Sequence, residues 1–284
     1  MTQFTVSVIQ MACVEDVAEN LSTAQRLVRE AAKAGAGIIL LPELFAWPYH
    51  CKDMPPGKQE WALPLEGHPV VEAMAVLAKD LSVVLPASFP ELVENRVYNS
   101  LAMINADGGI LGIYRKSHLP EGPGYHEKQW FTPGDTGFKV WQTQYGTIGV
   151  GVCWDQWFPE CARALTLMGA DILLYPTAIG SEPHDPELHT RPHWQRVMQG
   201  HAGANIIPVA AANRVGIEQG RDFAITFYGS SFITDPYGEM VAQAGEKGES
   251  VLSASFDSAE IEALRKDWGL IQDRRPDLYN VLVT

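Results

Sequence analysis

The chain is poor in cysteine. Only Cys13, Cys51, Cys153 and Cys161 are present among 284 residues, with no CxxC pair and no dense framework. That spacing argues against a disulfide scaffold and suits a reducing, cytoplasmic setting. The chain is also short of positive charge. It has 21 Lys and Arg against 34 Asp and Glu, for a net charge of −13. Nucleic acid is therefore not the expected partner, because phosphate neutralisation needs clustered Lys and Arg. An acidic surface favours solubility and tolerates a cationic small molecule. No apolar run approaches the length of a membrane span, so no membrane partner is expected. The start MTQFTVSVIQ lacks the basic head and long apolar stretch of a signal peptide. No repeat, low-complexity block or long linker is found. The expected unit is one domain over 1–284, with a C-terminal extension from about residue 258.

What is present is an alternation of strands and helices. FTVSVIQ (4–10) reads as a strand, and Asp16 with Glu19 resembles a capping box. The helix that follows carries Leu21, Ala24, Leu27, Val28 and Ala31 on one face and stops near Gly35. GIILLPE is a short continuous apolar run of the kind buried on both faces. A second helix is expected over 70–81, then a strand in SVVLPAS. VYNSLAMIN and ILGIYRK pair around the turn ADGG, and TIGVGVC closes a hairpin at QTQYG. A helix is expected from Pro159 to about Gly169, and another after His193. The remaining strands are ADILLYPT, IIPVAAANR, TFYGSSFITD, EMVAQAG and SVLSASFD, and SAEIEALRKDW is the last helix. Crossovers mixed with hairpins imply mixed sheets covered by helices, a layered α/β fold. The irregular stretches 45–68, 118–136 and 180–192 are where binding groups are expected.

Three reactive groups share one context. Glu43 follows the strand GIILLP, Lys116 follows ILGIYR, and Cys153 ends TIGVGV. In α/β sheets the carboxyl ends of strands are the usual ligand edge. Singly, a cysteine after an apolar strand is core filler, and a Glu or Lys there is a solvated charge. Together they make a reactive set. A thiol is mostly protonated at neutral pH and needs a base. Attack on a carbonyl makes an oxyanion, which an ammonium and a backbone N–H at the following helix start can hold. The residues thus point to acyl transfer to cysteine followed by hydrolysis.

LLPELF around Glu43, YRKSHLP around Lys116 and GVGVCWDQWFPE around Cys153 resemble the three signatures of the nitrilase superfamily of carbon–nitrogen hydrolases. They occur in the expected order, and the resemblance covers nearly the whole chain. It implies a four-layer αββα sandwich with two mixed β-sheets. It also implies pairing into an αββα–αββα homo-oligomer, a dimer or higher, and no metal or organic cofactor. By the same resemblance Glu43 is the general base, Lys116 the oxyanion-stabilising cation and Cys153 the nucleophile. The backbone N–H of Trp154 is the other oxyanion donor. A second glutamate in the loop after the lysine motif corresponds to Glu127, with Glu121 as its rival.

The stretches RKSHLPEGPGYHEKQWFTPGDTGFKVW, CWDQWFPECARAL, PTAIGSEP and HWQRVMQGHAGAN are similar to superfamily members that act on N-carbamoylputrescine. Those members release putrescine, carbon dioxide and ammonia in the route from agmatine. Relatives that take carbamoyl amino acids carry arginines just after the nucleophile motif. Gln156 and Trp157 stand there in this chain. A small cationic ureido substrate has a distal ammonium, which acidic or aromatic groups suit. Glu182 is the expected partner of that ammonium, and Trp154, Tyr125, Trp130 and Asp155 are expected pocket walls. For Asp155 the rival role is stabilising a helix start. His184, His189 and His193 have the look of a zinc set, but they lie in a loop without cysteine, so no metal is expected. His118 is expected to shape its loop. The competing activities are hydrolysis of carbamoyl-β-alanine, of an ω-amide or of a nitrile, and, from another class, an idle binding subunit.

Overall fold

The computed structural model describes residues 3–55 and 60–283. Part of the irregular stretch 45–68, residues 56–59, therefore lies outside the described residues. Strand β1 (Gln3–Gln10) runs parallel to β2 (Ile38–Leu40) and antiparallel to β14 (Ser250–Asp257). The antiparallel strands β3 (Leu85–Val93), β4 (Arg96–Ile104) and β5 (Ile110–Arg115) form a second ladder. A parallel bridge joins the two ladders, with Ile39 N–H donating to Val84 O and Val84 N–H to Gly37 O. The result is one mixed sheet in the order β14-β1-β2-β3-β4-β5.

The second mixed sheet has six strands. It contains β6 (Val140–Thr143), β7 (Gly146–Val150), β8 (Ile172–Thr177), β9 (Val209–Asn213), β12 (Phe232–Thr234) and β13 (Met240–Gln243). Its order is β13-β12-β9-β8-β7-β6, with β7, β8 and β9 parallel.

Three apolar layers hold these parts together. Helices α1 (Val17–Lys33) and α2 (Pro69–Leu81) cover the first sheet through Leu27, Val28, Val70 and Met74 against Ile9, Ile39 and Leu85. Between the sheets, Val6, Val8, Leu40 and Leu101 pack with Ile148, Val150, Leu174 and Ala210. Helices α4 (Pro159–Leu167) and α5 (Arg191–Asn205) cover the second sheet through Leu165, Trp194 and Met198 against Leu173 and Val209. Burying each large aliphatic is worth about 1.5–3 kcal/mol, so this stacking is the main driving force for the four-layer αββα sandwich.

Local signals set the element ends. Asp16 caps α1, accepting from the N–H groups of Ala18 and Glu19. Pro69, Pro159 and Pro192 stand in the first turns of α2, α4 and α5, where a missing N–H is harmless. Asp257 caps α6 (Ser258–Trp268) in the same way as Asp16, and Ile261 of α6 reaches the intersheet core.

Two strand expectations are corrected. TFYGSSFITD is two strands, β11 (Ala224–Tyr228) and β12, in different sheets. Gly229 and Ser230 both have positive φ, 52° and 56°, and that pair turns the chain out of one ladder into the other. The partner of β11 is β10 (Val215–Gln219), which has exposed positions such as Ile217 and so carries no continuous apolar signal. The strand expected in SVVLPAS starts later and runs on through Pro86 and Pro90 to Val93. Both prolines fall at positions whose backbone groups face away from β4. On that side Leu92 N–H donates to Leu63 O and Pro90 O accepts from Leu63 N–H, so no ladder bond is lost.

Candidate active site

The site lies where β2, β5, β7 and β8 end. Four residues past β2, Leu44 has φ 47°, which swings the chain away from the strand after Glu43. Arg214 holds this bend. Its guanidinium is fully buried and donates to the carbonyl oxygens of Glu43 (2.8 Å), Leu44 (3.3 Å) and Trp47 (3.2 Å). It also pairs with Glu218 at 2.6 Å, and Glu218 accepts the N–H of Tyr49 at 2.6 Å. One buried ion pair therefore fixes both ends of segment 43–49.

Lys116 follows β5 directly, and its N–H donates to Asn99 O on β4. Its ammonium is fully buried and stands between two buried carboxylates. Nζ lies 2.8 Å from Glu43 Oε1, and 2.8 and 2.7 Å from the two oxygens of Glu127. Glu127 opens the short helix α3 (Glu127–Trp130). Tyr49 OH donates to Glu127 Oε1 at 2.8 Å, and Asn99 Nδ2 donates to Glu43 Oε1 at 2.6 Å. Glu43 Oε2 is buried and has no hydrogen-bond partner among the described residues.

Cys153 heads a 3₁₀ turn (Cys153–Trp157) and has φ 41°, a conformation that costs a non-glycine residue about 1–3 kcal/mol. The turn is over-determined by its neighbours. Asp155 is fully buried and accepts from Val152 N–H (2.8 Å), His118 N–H (3.0 Å), Tyr114 OH (2.7 Å) and the His118 ring (2.7 Å). The Gln156 carbonyl meets His201 Nε2 at 2.7 Å, and its side chain accepts from Trp194 Nε1 at 2.7 Å. The chain reaches the turn through Gly151, where an added Cβ would stand 2.8 Å from the Tyr175 ring.

The electrostatics follow from this geometry. Burial pushes the Cys153 thiol well above its usual value. Glu43 and Glu127 push the same way, and Lys116 opposes them. Burial opposes the Lys116 ammonium, but Glu127 and Glu43 outweigh it and hold its pKa well above that of a free lysine. Glu127 is pushed up to about 7 by burial, against the pull of Lys116. A resting thiol beside a carboxylate with an unused oxygen is an arrangement in which the carboxylate can take the thiol proton and free the sulfur to attack. The first N–H groups of the 3₁₀ turn have no partner within it, so they and Lys116 can stabilise an oxyanion.

A cavity of about 440 Å³ opens over Cys153 and Glu127. Trp154, Trp157, Tyr125 and Ile179 supply apolar wall, and Glu182 and Glu121 supply carboxylates. Tyr125 ties two wall segments together, with its OH donating to Ser181 O and accepting from Gly180 N–H. Burial raises the pKa of the Glu182 carboxyl, and His184 opposes that rise. Asn213 grips both the N–H and the carbonyl of Ile179 and so fixes the cavity floor.

The sequence-derived residues divide into two groups. Glu43, Lys116, Glu127 and Cys153 converge, and Trp154, Tyr125 and Glu182 line the cavity. Trp130 and Asp155 are not among the cavity-lining residues. Trp130 packs with His50 and Trp61 and donates from Nε1 to Asp53 O, while Asp155 is turned toward Tyr114 and His118. Of the three histidines, His184 and His193 line the cavity, whereas His189 lines a neighbouring one. Among the described residues no group of three or more His, Cys, Asp or Glu is placed to hold a metal ion. Sequence reading missed Tyr49, Asn99, Arg214 and Glu218. Their role lies in hydrogen bonds to residues far off in the chain, which leave no local signal in the sequence.

The chain matches the carbon–nitrogen hydrolase family over residues 5–266. An N-carbamoylputrescine amidase of Solanum lycopersicum is 56% identical, over 99% of this chain and 95% of that one. A citrullinase of Francisella tularensis is 51% identical, over 100% of this chain and 99% of that one. The crystal structure of a carbon–nitrogen hydrolase from Helicobacter pylori superposes with a TM-score of 0.93 at 36% identity, covering 99% of each chain.

Proposed function

The chain belongs to the carbon–nitrogen hydrolase family, and on that premise we propose that it hydrolyses N-carbamoylputrescine to putrescine, carbon dioxide and ammonia. The observation that carries this reading is the shared cavity of Cys153 and Glu182: a thiol at one point and a carboxylate at another, with apolar wall between. Such a cavity suits a ureido head on a short aliphatic chain that ends in an ammonium. The full-length amidase relatives support the same substrate.

In this mechanism Glu43 takes the thiol proton as Cys153 Sγ attacks the ureido carbon. The Lys116 ammonium and the Trp154 N–H hold the oxyanion. The intermediate collapses as Glu43 returns the proton to the departing nitrogen, and ammonia leaves. Water, deprotonated by Glu43, then attacks the carbamoyl thioester. The thiolate leaves and is reprotonated, and the freed carbamate loses carbon dioxide to give the diamine. Glu127 keeps Lys116 charged and in place throughout.

Citrulline is the second reading, favoured by the citrullinase relative. It presents the same ureido head but adds a carboxylate beside the distal ammonium. Among the described residues no Lys or Arg lines the cavity, whereas Glu121 and Glu182 do, and this favours the diamine. The test is ammonia release by the purified protein from N-carbamoylputrescine, citrulline, N-carbamoyl-β-alanine, an ω-amide and a nitrile. A clear preference for N-carbamoylputrescine is expected, and a preference for any other compound overturns the substrate assignment.

Self-association belongs to the same proposal. The apolar residues Leu278, Leu282 and Val283 are exposed beside a groove along α4 and α5, a suitable seat for a second copy. Light scattering of the purified protein is expected to give a dimer or larger. A cytoplasmic site of action fits the four free, buried cysteines. No described helix is long and apolar enough to cross a membrane.

A further inference from the structure

Resting on the amidase reading, we propose that Tyr49 is a positioning residue for the hydrolysis: its hydroxyl keeps Glu127 on Lys116, leaving Glu43 free to accept the thiol proton. The Lys116 ammonium has three protons and three short contacts, two to Glu127 and one to Glu43. Glu43 Oε1 is already taken by Lys116 and Asn99, so Oε2 is the oxygen left for catalysis. If Glu127 turned away or took up a proton, the ammonium would shift toward Glu43 and occupy that oxygen. The hydroxyl of Tyr49 opposes both events, because it donates to Glu127 Oε1 at 2.8 Å.

Tyr49 is built to hold that position. It is fully buried, and its N–H is anchored on Glu218 at 2.6 Å. Its ring meets Phe227 edge-on at 5.8 Å and Tyr125 at 5.9 Å. It also lines the cavity, so its hydroxyl lies at the junction between the buried charges and the substrate space. The other titratable groups around Glu127 are Lys116 after β5, Glu43 after β2, Cys51 in the 44–52 segment and Cys153 in the 3₁₀ turn. Lys116 alone among these draws a proton off Glu127, so the tyrosine hydroxyl is the second of two groups that favour its charged form.

The test is Tyr49→Phe in the full chain, which keeps the ring and removes only the donor. With N-carbamoylputrescine, kcat at neutral pH is expected to fall about tenfold, as for a lost hydrogen bond to a charged group, with KM changed less than about twofold. The acid limb of the kcat profile is expected to move to higher pH. Alkylation of Cys153 by iodoacetamide, followed by peptide mass, is expected to slow with the same displacement. An unchanged kcat and limb, or a change confined to KM, overturns the proposal.

The alkylation measurement separates this proposal from the substrate assignment. If wild type ignores N-carbamoylputrescine but Tyr49→Phe still displaces the alkylation profile, the substrate is wrong and the positioning role stands. If alkylation is unmoved, the positioning role fails. Should Tyr49→Phe lower the melting temperature strongly, the pair E127Q and Y49F/E127Q decides. Equal alkylation profiles for these two support action through Glu127, and a further displacement in the double variant overturns it.

Discussion

Arg214 donates a 2.8 Å hydrogen bond to the carbonyl oxygen of Glu43, across 171 residues of sequence. The bond joins the second half of the chain to the bend that aims the proposed base. Arg214 is fully buried, and Glu218 is its ionic partner. Replacing Arg214 with Met leaves Glu218 buried without that charge. The expected loss is about 3–5 kcal/mol of stability, read from urea unfolding. If the variant is as stable as wild type, the bend is held by other contacts.

Cys153→Ala is expected to fold normally and to lose ammonia release by at least about 10³-fold, since the covalent route goes with the sulfur. Circular dichroism and ammonia release check both halves. Turnover by a folded variant would remove Cys153 as nucleophile.

Glu182→Gln keeps the size of the side chain and removes its charge. KM for N-carbamoylputrescine is expected to rise about tenfold, the loss of one charge-assisted contact. For a neutral ureido analogue of the same length it is expected to change little. Equal changes on both would mean that Glu182 does not meet the distal ammonium.

Asp155→Ala separates a wall from a brace. The carboxylate accepts four hydrogen bonds around the 3₁₀ turn and is not part of the cavity lining. The expected result is a stability loss of about 1–3 kcal/mol and a fall in kcat with KM little changed. A rise in KM alone would return Asp155 to the substrate wall.

Glu127 gives a pH dependence with a definite sign. Burial raises its pKa from 4.5 to about 7, so the folded protein holds this proton more tightly than the unfolded chain. Its contribution to stability is complete below pH 4.5 and is lost as pH rises through about 7. Glu127→Gln is expected to flatten the stability profile in that window by a few kcal/mol, on the scale of about 1.4 kcal/mol per pKa unit. Denaturant midpoints at pH 5 and pH 8 measure it, and an unchanged difference between them refutes the assignment.

By itself the sequence determined the alternation of strands and helices, the capping by Asp16, and the three strand ends at Glu43, Lys116 and Cys153. These are local properties: periodicity, cap chemistry and the residue that follows an apolar run. Tertiary structure decided what lies far apart in the chain. It split 226–235 between two sheets, turned Asp155 inward to brace the Cys153 turn, and set Trp130 against His50 and Trp61. It also brought Tyr49 to Glu127 over 78 residues, Asn99 to Glu43 over 56 and Arg214 to the Glu43 carbonyl. A hydrogen bond between distant residues leaves no periodic trace. It forms only where packing of the two sheets has already fixed both partners within reach of each other.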